Sequence, residues 1–216
     1  KEQEELCIRV HDLDHLRMSI GNQGNVFFNN DQFEEAMDHY KKQYELSEKS
    51  VDIQGMAHSI GNQGNVFFRL ARYDDALDNY RTCERLCKKI LYREGQQRVL
   101  GDQAKIFLVK HDYLTALALI NEQEDLCNKI KSTRSLGECL RLKAQLFEEQ
   151  MLFEKAQEIY TMQKNLYTDF EDSYGLSDTI ESLGVLHIKK GELDKANNFF
   201  LDLETKAKIQ NNLKKR

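Results

Sequence analysis

The chain has 216 residues, 40% hydrophobic and 31% charged, with Asp+Glu 36 against Lys+Arg 31 for a net charge of −5. That balance leaves no electrostatic footprint for nucleic acid, and no apolar run approaches the roughly 18 residues of a membrane span. The absence of proline removes both helix breaks and proline-rich linkers.

Taken in chain order, the first stretch is a fragment of a pattern that repeats later. Glu2-Gln3-Glu4-Glu5-Leu6-Cys7 parallels Glu122-Gln123-Glu124-Asp125-Leu126-Cys127 at an offset of 120. Residues 1–18 therefore read as the back half of a unit, expected to form a lone second helix, with the chain cut from something longer. Leu6 and Ile8 would then lie on an uncovered apolar face, a place for self-association or a partner. The string SIGNQGNVFF follows at Ser19–Phe28 and recurs at Ser59–Phe68, an offset of 40. A long identity at a fixed offset marks a tandem array. Later units open on Val99–Leu108, Cys139–Glu148 and Thr179–Ile188 in the same register. The whole chain, 1–216, reads as one array with units 1–18, 19–58, 59–98, 99–138, 139–178 and 179–216.

One unit shows the periodicity. Ile60, Gly64, Phe67 and Phe68 have helical spacing, a polar break follows near Ala71-Arg72, and Tyr73, Ala76, Leu77, Tyr80, Cys83, Leu86 and Cys87 trace a second helical face. A further break falls near Tyr92–Glu94. Two antiparallel helices per unit make an αα-hairpin array. Asp52, Ser132 and Asp172 share a register position suited to N-capping the next first helix. Small residues recur in each helix: Gly24, Gly64, Ala104, Ala144 and Gly184 in the first, Ala36, Ala76, Ala116, Ala156 and Ala196 in the second. Close helix approach needs small side chains at the contact. Phe33, Tyr73, Tyr113, Phe153 and Leu193 precede each second-helix alanine by three; Tyr40, Tyr80, Ile120, Tyr160 and Phe200 follow it by four.

The small–aromatic pair Gly64 and Phe67, then Tyr73-x-x-Ala76, then Tyr80, resembles the tetratricopeptide (TPR) repeat family. Ile60 and its equivalents stand where that family usually has tryptophan, the terminal proline is absent, and the unit is longer than usual. The Gly61-Asn62-Gln63-Gly64-Asn65 phrase is similar to arrays of the LGN/Pins group; Glu2–Cys7 with Gly21-Asn22-Gln23 also resembles TPR sensor arrays of STAND-type proteins. The resemblance implies an all-α, right-handed superhelical TPR-like solenoid of five full repeats and one half repeat. It also implies that the first helices line a concave groove.

Carried over by register, the groove residues include Asn22, Asn25, Asn62, Asn65, Arg69, Arg98, Asp102, Lys105 and Arg141. An asparagine amide both donates and accepts, so a ladder of them can hold the backbone of an extended peptide. Gly21, Gly61 and Gly101 on the same face would let that backbone come close, unless they serve helix packing and the asparagines bond each other. Summed over groove columns, the early units carry Arg69, Arg98 and Lys105 against Asp102. The later units carry Arg141 and Lys189 against Glu138, Glu149, Asp178 and Glu181. A bound peptide should thus prefer acidic side chains toward the first end and basic ones toward the second.

Other constellations read as structure. Cys7, Cys87 and Cys127 share a packing register, and Cys83 and Cys87 lie on the apolar side of one helix. The odd count of five cysteines, without disulfide spacing, points to a reducing compartment, expected to be the cytoplasm. Cys7, His11 and His15 have ligand spacing but are separated by a helix break at Asp12-Leu13-Asp14, so no metal is expected. His187 replaces an aromatic of the other units and reads as a packed ring. No catalytic motif and no cofactor site is present. The function these features imply is a non-catalytic protein-interaction scaffold for a protein or peptide partner. The alternative is a sensor or regulatory array of a larger nucleotide-switch or protease protein.

Overall fold

A computed structural model describes residues 13–214, with side chains described for 14–205. Among the described residues there are ten α-helices and no strand. They are α1 (Leu13–Asn29), α2 (Phe33–Lys49), α3 (Ile53–Arg69), α4 (Tyr73–Lys89), α5 (Arg93–Val109), α6 (Tyr113–Ile130), α7 (Thr133–Glu149), α8 (Phe153–Asp169), α9 (Ser173–Lys189) and α10 (Leu193–Lys214). Leu13–Met18 belong to α1, a first helix, so the lone second helix expected over 1–18 does not extend through those residues. Leu6, Ile8, Cys7 and His11 lie outside the described residues.

The backbone repeats at half the period of the sequence. One residue in every twenty has positive φ: Asp31, Val51, Ala71, Leu91, His111, Lys131, Met151, Glu171 and Gly191. Each sits just past the end of a helix. In the first turn Gln32 N–H donates to Phe27 O at 2.9 Å and Asp31 N–H to Phe28 O at 3.1 Å. This pair of bonds is the Schellman closure, which satisfies carbonyls the helix end would otherwise leave bare. The residue after the left-handed one opens the next helix, as when Gln32 O accepts from Ala36 N–H at 3.0 Å. Left-handed geometry costs an L-residue about 1–2 kcal/mol, and of the nine positions only Gly191 avoids it. The break expected near Tyr92–Glu94 falls two residues earlier, at Ile90–Tyr92, because Arg93 and Glu94 already form the first turn of α5. There the Glu94 carboxylate complements the helix N-terminus.

Capping follows the expectation at two of three sites. Asp172 accepts from Tyr174 N–H at 3.1 Å and Gly175 N–H at 3.0 Å, and Ser132 accepts from Ser135 N–H at 3.4 Å. Asp52 makes no cap bond; its carboxylate turns instead to the Arg17 guanidinium of α1. A charge-assisted bond to Arg17 outcompetes a neutral backbone donor.

Contacts divide the chain into two compact units, residues 1–126 and 127–216. Within the first, α1 packs on α2, α3 on α4, and the first helices α1, α3 and α5 touch in sequence. Among the described residues α2 and α4, both second helices, do not touch each other. The first helices thus form the inner layer of this unit. In the second unit α7 packs on α8, α9 on α10, and α7 touches α9. The second-helix alanines are the pivots: Ala36, Ala76, Ala116 and Ala156 are 0% exposed and Ala196 3%. Around Ala76 pack Ala57, Leu77, Tyr80, Cys83, Cys87, Val99 and Ile106; around Ala156 pack Ala144, Tyr160, Leu183 and Leu186. Each fully buried large side chain contributes about 1.5–3 kcal/mol.

Candidate functional site

The asparagines are held by the aromatic column beneath them. The Tyr40 hydroxyl donates to Asn25 Oδ1 at 2.8 Å, and the Tyr80 hydroxyl to Asn65 Oδ1 at 2.8 Å. Burial pushes the Tyr40 phenol up to about 12 and raises that of Tyr80 further, so both stay protonated donors at neutral pH. With Oδ1 engaged, Nδ2 and its two N–H groups remain as donors. Asn25 is exposed and Asn65 half-buried; their column mates Asn22 and Asn62 are exposed and half-buried. The pair needs three residues at once. Gly24 and Gly64 admit the ring, since a Cβ there would stand 2.7 Å from Tyr40 Cε1 and 2.6 Å from Tyr80 Cε1. Where the small residue is Ala144, the Tyr160 hydroxyl bonds Glu148 at 2.6 Å instead of the residue next to the alanine.

The charged candidates are mostly committed. Arg69 pairs with Asp31 in the α1–α2 turn and lies over the rings of Phe28 and Phe33, at 5.4 and 5.3 Å from their centroids. It therefore stitches the first hairpin to the second. Lys105 Nζ pairs with Asp102 Oδ1 at 2.8 Å along α5. Arg141 bonds Glu138 Oε2 through Nη2 at 2.7 Å and Nε at 3.2 Å. Arg98 is exposed and has no ion-pair partner among the described residues.

The glycines of this face do not open it to a ligand. Gly21, Gly61 and Gly101 are buried. A Cβ at Gly21 would stand 2.3 Å from Gln43 Nε2, one at Gly101 2.7 Å from Gln123 Nε2, and one at Gly61 3.3 Å from Cys83 Sγ. A second-helix side chain fills the space a partner backbone would need. These side chains form a column the sequence reading passed over: Gln43, Cys83, Gln123 and Gln163. The three glutamines are at most 9% exposed, and Oε1 of each is buried without a hydrogen-bond partner. The 40-residue recurrence of a polar residue on an apolar face was the available signal.

In the second unit, α7 and α9 enclose a groove of about 560 Å³ lined by Glu138, Arg141, Glu148, Asp178, Glu181 and Lys189 among others. It runs into a cavity of about 260 Å³ with Gln163 in its lining. Glu148 also receives Lys189 Nζ at 2.5 Å.

The described thiols are core residues: Cys83, Cys87, Cys127 and Cys139 are at most 1% exposed and none is in a disulfide. A hydrogen bond to Cys87, together with burial, holds the Cys83 thiol protonated, well above its ordinary range. His187 is 3% exposed, stacked on Phe199 at 5.3 Å, with Nδ1 bonded to Glu192 at 2.5 Å. Among the described residues no group of three His, Cys, Asp or Glu could hold a metal ion, and no helix is long and apolar enough to cross a membrane.

Comparison with known proteins fits this geometry. The tetratricopeptide repeat family matches residues 19–50. Among solved structures, BtubC (BKLC) from P. vanneervenii superposes with a TM-score of 0.82 at 15% identity, covering 97% of this chain and 89% of that one. A STAND protein with a tetratricopeptide repeat sensor, PH0952 from Pyrococcus horikoshii, gives 0.73 at 18% identity, covering 91% of this chain and 31% of that one. A Rap protein complexed with Competence and Sporulation Factor gives 0.76 at 13% identity, covering 89% of this chain and 53% of that one. No curated protein sequence matches the chain. The chain has the TPR-like α-hairpin repeat fold.

Proposed function

We propose that this chain is a non-catalytic scaffold whose first-helix face holds an extended segment of a partner protein. The observation that carries this reading is the Tyr80–Asn65 bond with its copy at Tyr40–Asn25. A buried phenol spends its donor on an asparagine oxygen and leaves the two amide N–H groups as donors. Such donors suit peptide carbonyls, because they recognise the backbone whatever the side chains. The Rap structure solved with Competence and Sporulation Factor shows that a chain of like fold is compatible with a bound factor. Asn22, Asn25, Asn62 and Asn65 are assigned to the peptide backbone. Arg98, with its charge unpaired, favours acidic side chains in the first unit, helped more weakly by Lys105, whose charge is shared with Asp102. Arg69 acts as a structural bracket. The second unit favours basic side chains through Asp178 and Glu181. The buried thiols support a reducing compartment, and we place the protein in the cytoplasm.

A random peptide library panned against the chain tests this. The parent should enrich extended peptides with an acidic bias at one end, and Asn62→Ala with Asn65→Ala should abolish enrichment while circular dichroism stays helical. Equal enrichment by parent and double variant refutes the scaffold mechanism. A second reading, a sensor array within a nucleotide-switch or protease protein, draws on the likeness to the STAND sensor. A nucleotide-binding or protease domain encoded contiguously with this chain would favour it.

A further inference from the structure

Gln43, Gln123 and Gln163 each bury a carbonyl oxygen that bonds nothing, and Gln163 lines an open cavity. Gln163 is 2% exposed, and its Nε2 donates to Gly137 O at 2.9 Å. Gly137 O can only accept, so the amide cannot be turned round and Oε1 is fixed as the unbonded atom. A buried acceptor without a protein donor is costly, and it is met by a donor that the adjoining cavity admits, a water or a ligand group.

Two further observations say what that partner carries. The cavity of about 260 Å³ shares Arg134, Glu138, Arg141, Tyr174 and Asp178 with the larger groove between α7 and α9. Glu138 is neutralised by Arg141, but Asp178 and Glu181 have no ion-pair partner among the described residues. Over both cavities five carboxylates face three cations, a net of −2, counting Glu138, Glu148, Asp172, Asp178 and Glu181 against Arg134, Arg141 and Lys189. Tyr174, 78% exposed, presents a ring at the mouth. Acceptors at two depths, an acidic wall and an aromatic rim call for a cation with several donors in one plane.

We propose that this groove binds a guanidinium group, carried by an arginine side chain of the bound partner segment, with Gln163 Oε1 as the acceptor at the floor and Asp178 as the acceptor at the wall. A lysine ammonium concentrates its charge in a single compact head and cannot span both acceptors while stacking on Tyr174. The proposal rests on the segment-binding reading above but uses none of its asparagines, so the two fail separately.

The test titrates N-acetyl-arginine methylamide into the full chain and follows the Gln163 side-chain amide by NMR, with the lysine and citrulline analogues beside it. The arginine probe should bind about tenfold more tightly than either. Gln163→Leu, which removes the unbonded oxygen, and Asp178→Asn, an exposed change that leaves the fold intact, should each weaken it about fivefold or more. Equal binding of the citrulline or lysine probe, or unchanged affinity in Asp178→Asn, overturns the proposal. The Asn62→Ala, Asn65→Ala variant should keep the arginine probe. If that variant loses library peptides and the parent shows no arginine preference, this inference alone falls. If the arginine probe binds and no library peptide is enriched, segment binding falls and the carrier is a free guanidinium compound.

Discussion

Tyr80 donates its hydroxyl to Asn65 at 2.8 Å across one hairpin, and Gly64, one residue before the asparagine, is what lets the ring lie there. Two repeats later Ala144, Gln145 and Glu148 stand where Gly64, Asn65 and Phe68 stand here. At Ala144 the register has a methyl group, and Tyr160 bonds Glu148. Gly64→Ala should therefore push Tyr80 off Asn65, costing about 1–3 kcal/mol by overpacking. Tyr80→Phe should cost about 0.5–1.5 kcal/mol by removing the bond alone. Denaturant unfolding of both single variants and the double variant checks this. The two losses should be strongly non-additive, because they share one interaction.

Val51 has φ of 55° and is 78% exposed. A β-branched residue is poorly suited to left-handed backbone, and this one makes no core contact that would be missed. Val51→Gly should stabilise the chain, by up to about 1 kcal/mol after the glycine's own unfolded-state entropy is counted. A melting temperature raised by a few degrees is expected; a lowered one would mean that Val51 packs in solution.

Ala76 is 0% exposed and surrounded by Tyr80, Leu77, Val99 and Ile106. Ala76→Leu should destabilise by about 1–3 kcal/mol, since the helices on either side must separate to admit it. Val185→Leu, at a 40% exposed position of α9, serves as the matched control and should fall within about 0.5 kcal/mol of the parent.

The hairpins, the alanine pivots and the aromatic column were all readable in the sequence, because a periodic solenoid prints its packing at a fixed offset. Ala36 and Ala156 are found buried for the reason their register suggested. What did not show was which way a side chain crosses between helices. Gly61 looks the same in sequence whether a peptide backbone or Cys83 Sγ occupies the space beside it. Arg69 stands in a groove column, yet the turn residue Asp31 and two rings claim it. Gln163 is not legible in the sequence, because a polar residue in an apolar register reads as an exception and its meaning depends on a donor set that only the fold supplies. Asp52 was legible as a cap by type; Arg17, thirty-five positions away in the chain, decided otherwise.

High pH should find the buried phenols. Burial raises the pKa of Tyr40 to about 12 and raises those of Tyr80, Tyr160 and Tyr167 as well, with the Glu148 carboxylate adding to burial at Tyr160. In the unfolded chain these groups ionise near pH 10. Above that pH the unfolded chain holds fewer protons than the folded one, so stability falls as pH rises. The contribution is fully present below about pH 10 and is lost progressively toward the folded values. Tyr80 and Tyr160, the most deeply buried, each withdraw up to about 1.4 kcal/mol per pH unit in that window. Near-ultraviolet tyrosine absorbance and helical dichroism should be followed together from about pH 8 to about pH 12. One part of the tyrosine signal should appear only as helix is lost, and Tyr80→Phe should move the base-induced transition to higher pH relative to its own neutral-pH stability. A single tyrosine wave near pH 10 with helicity intact would show that these hydroxyls are open to solvent. The asparagines would then be held by nothing.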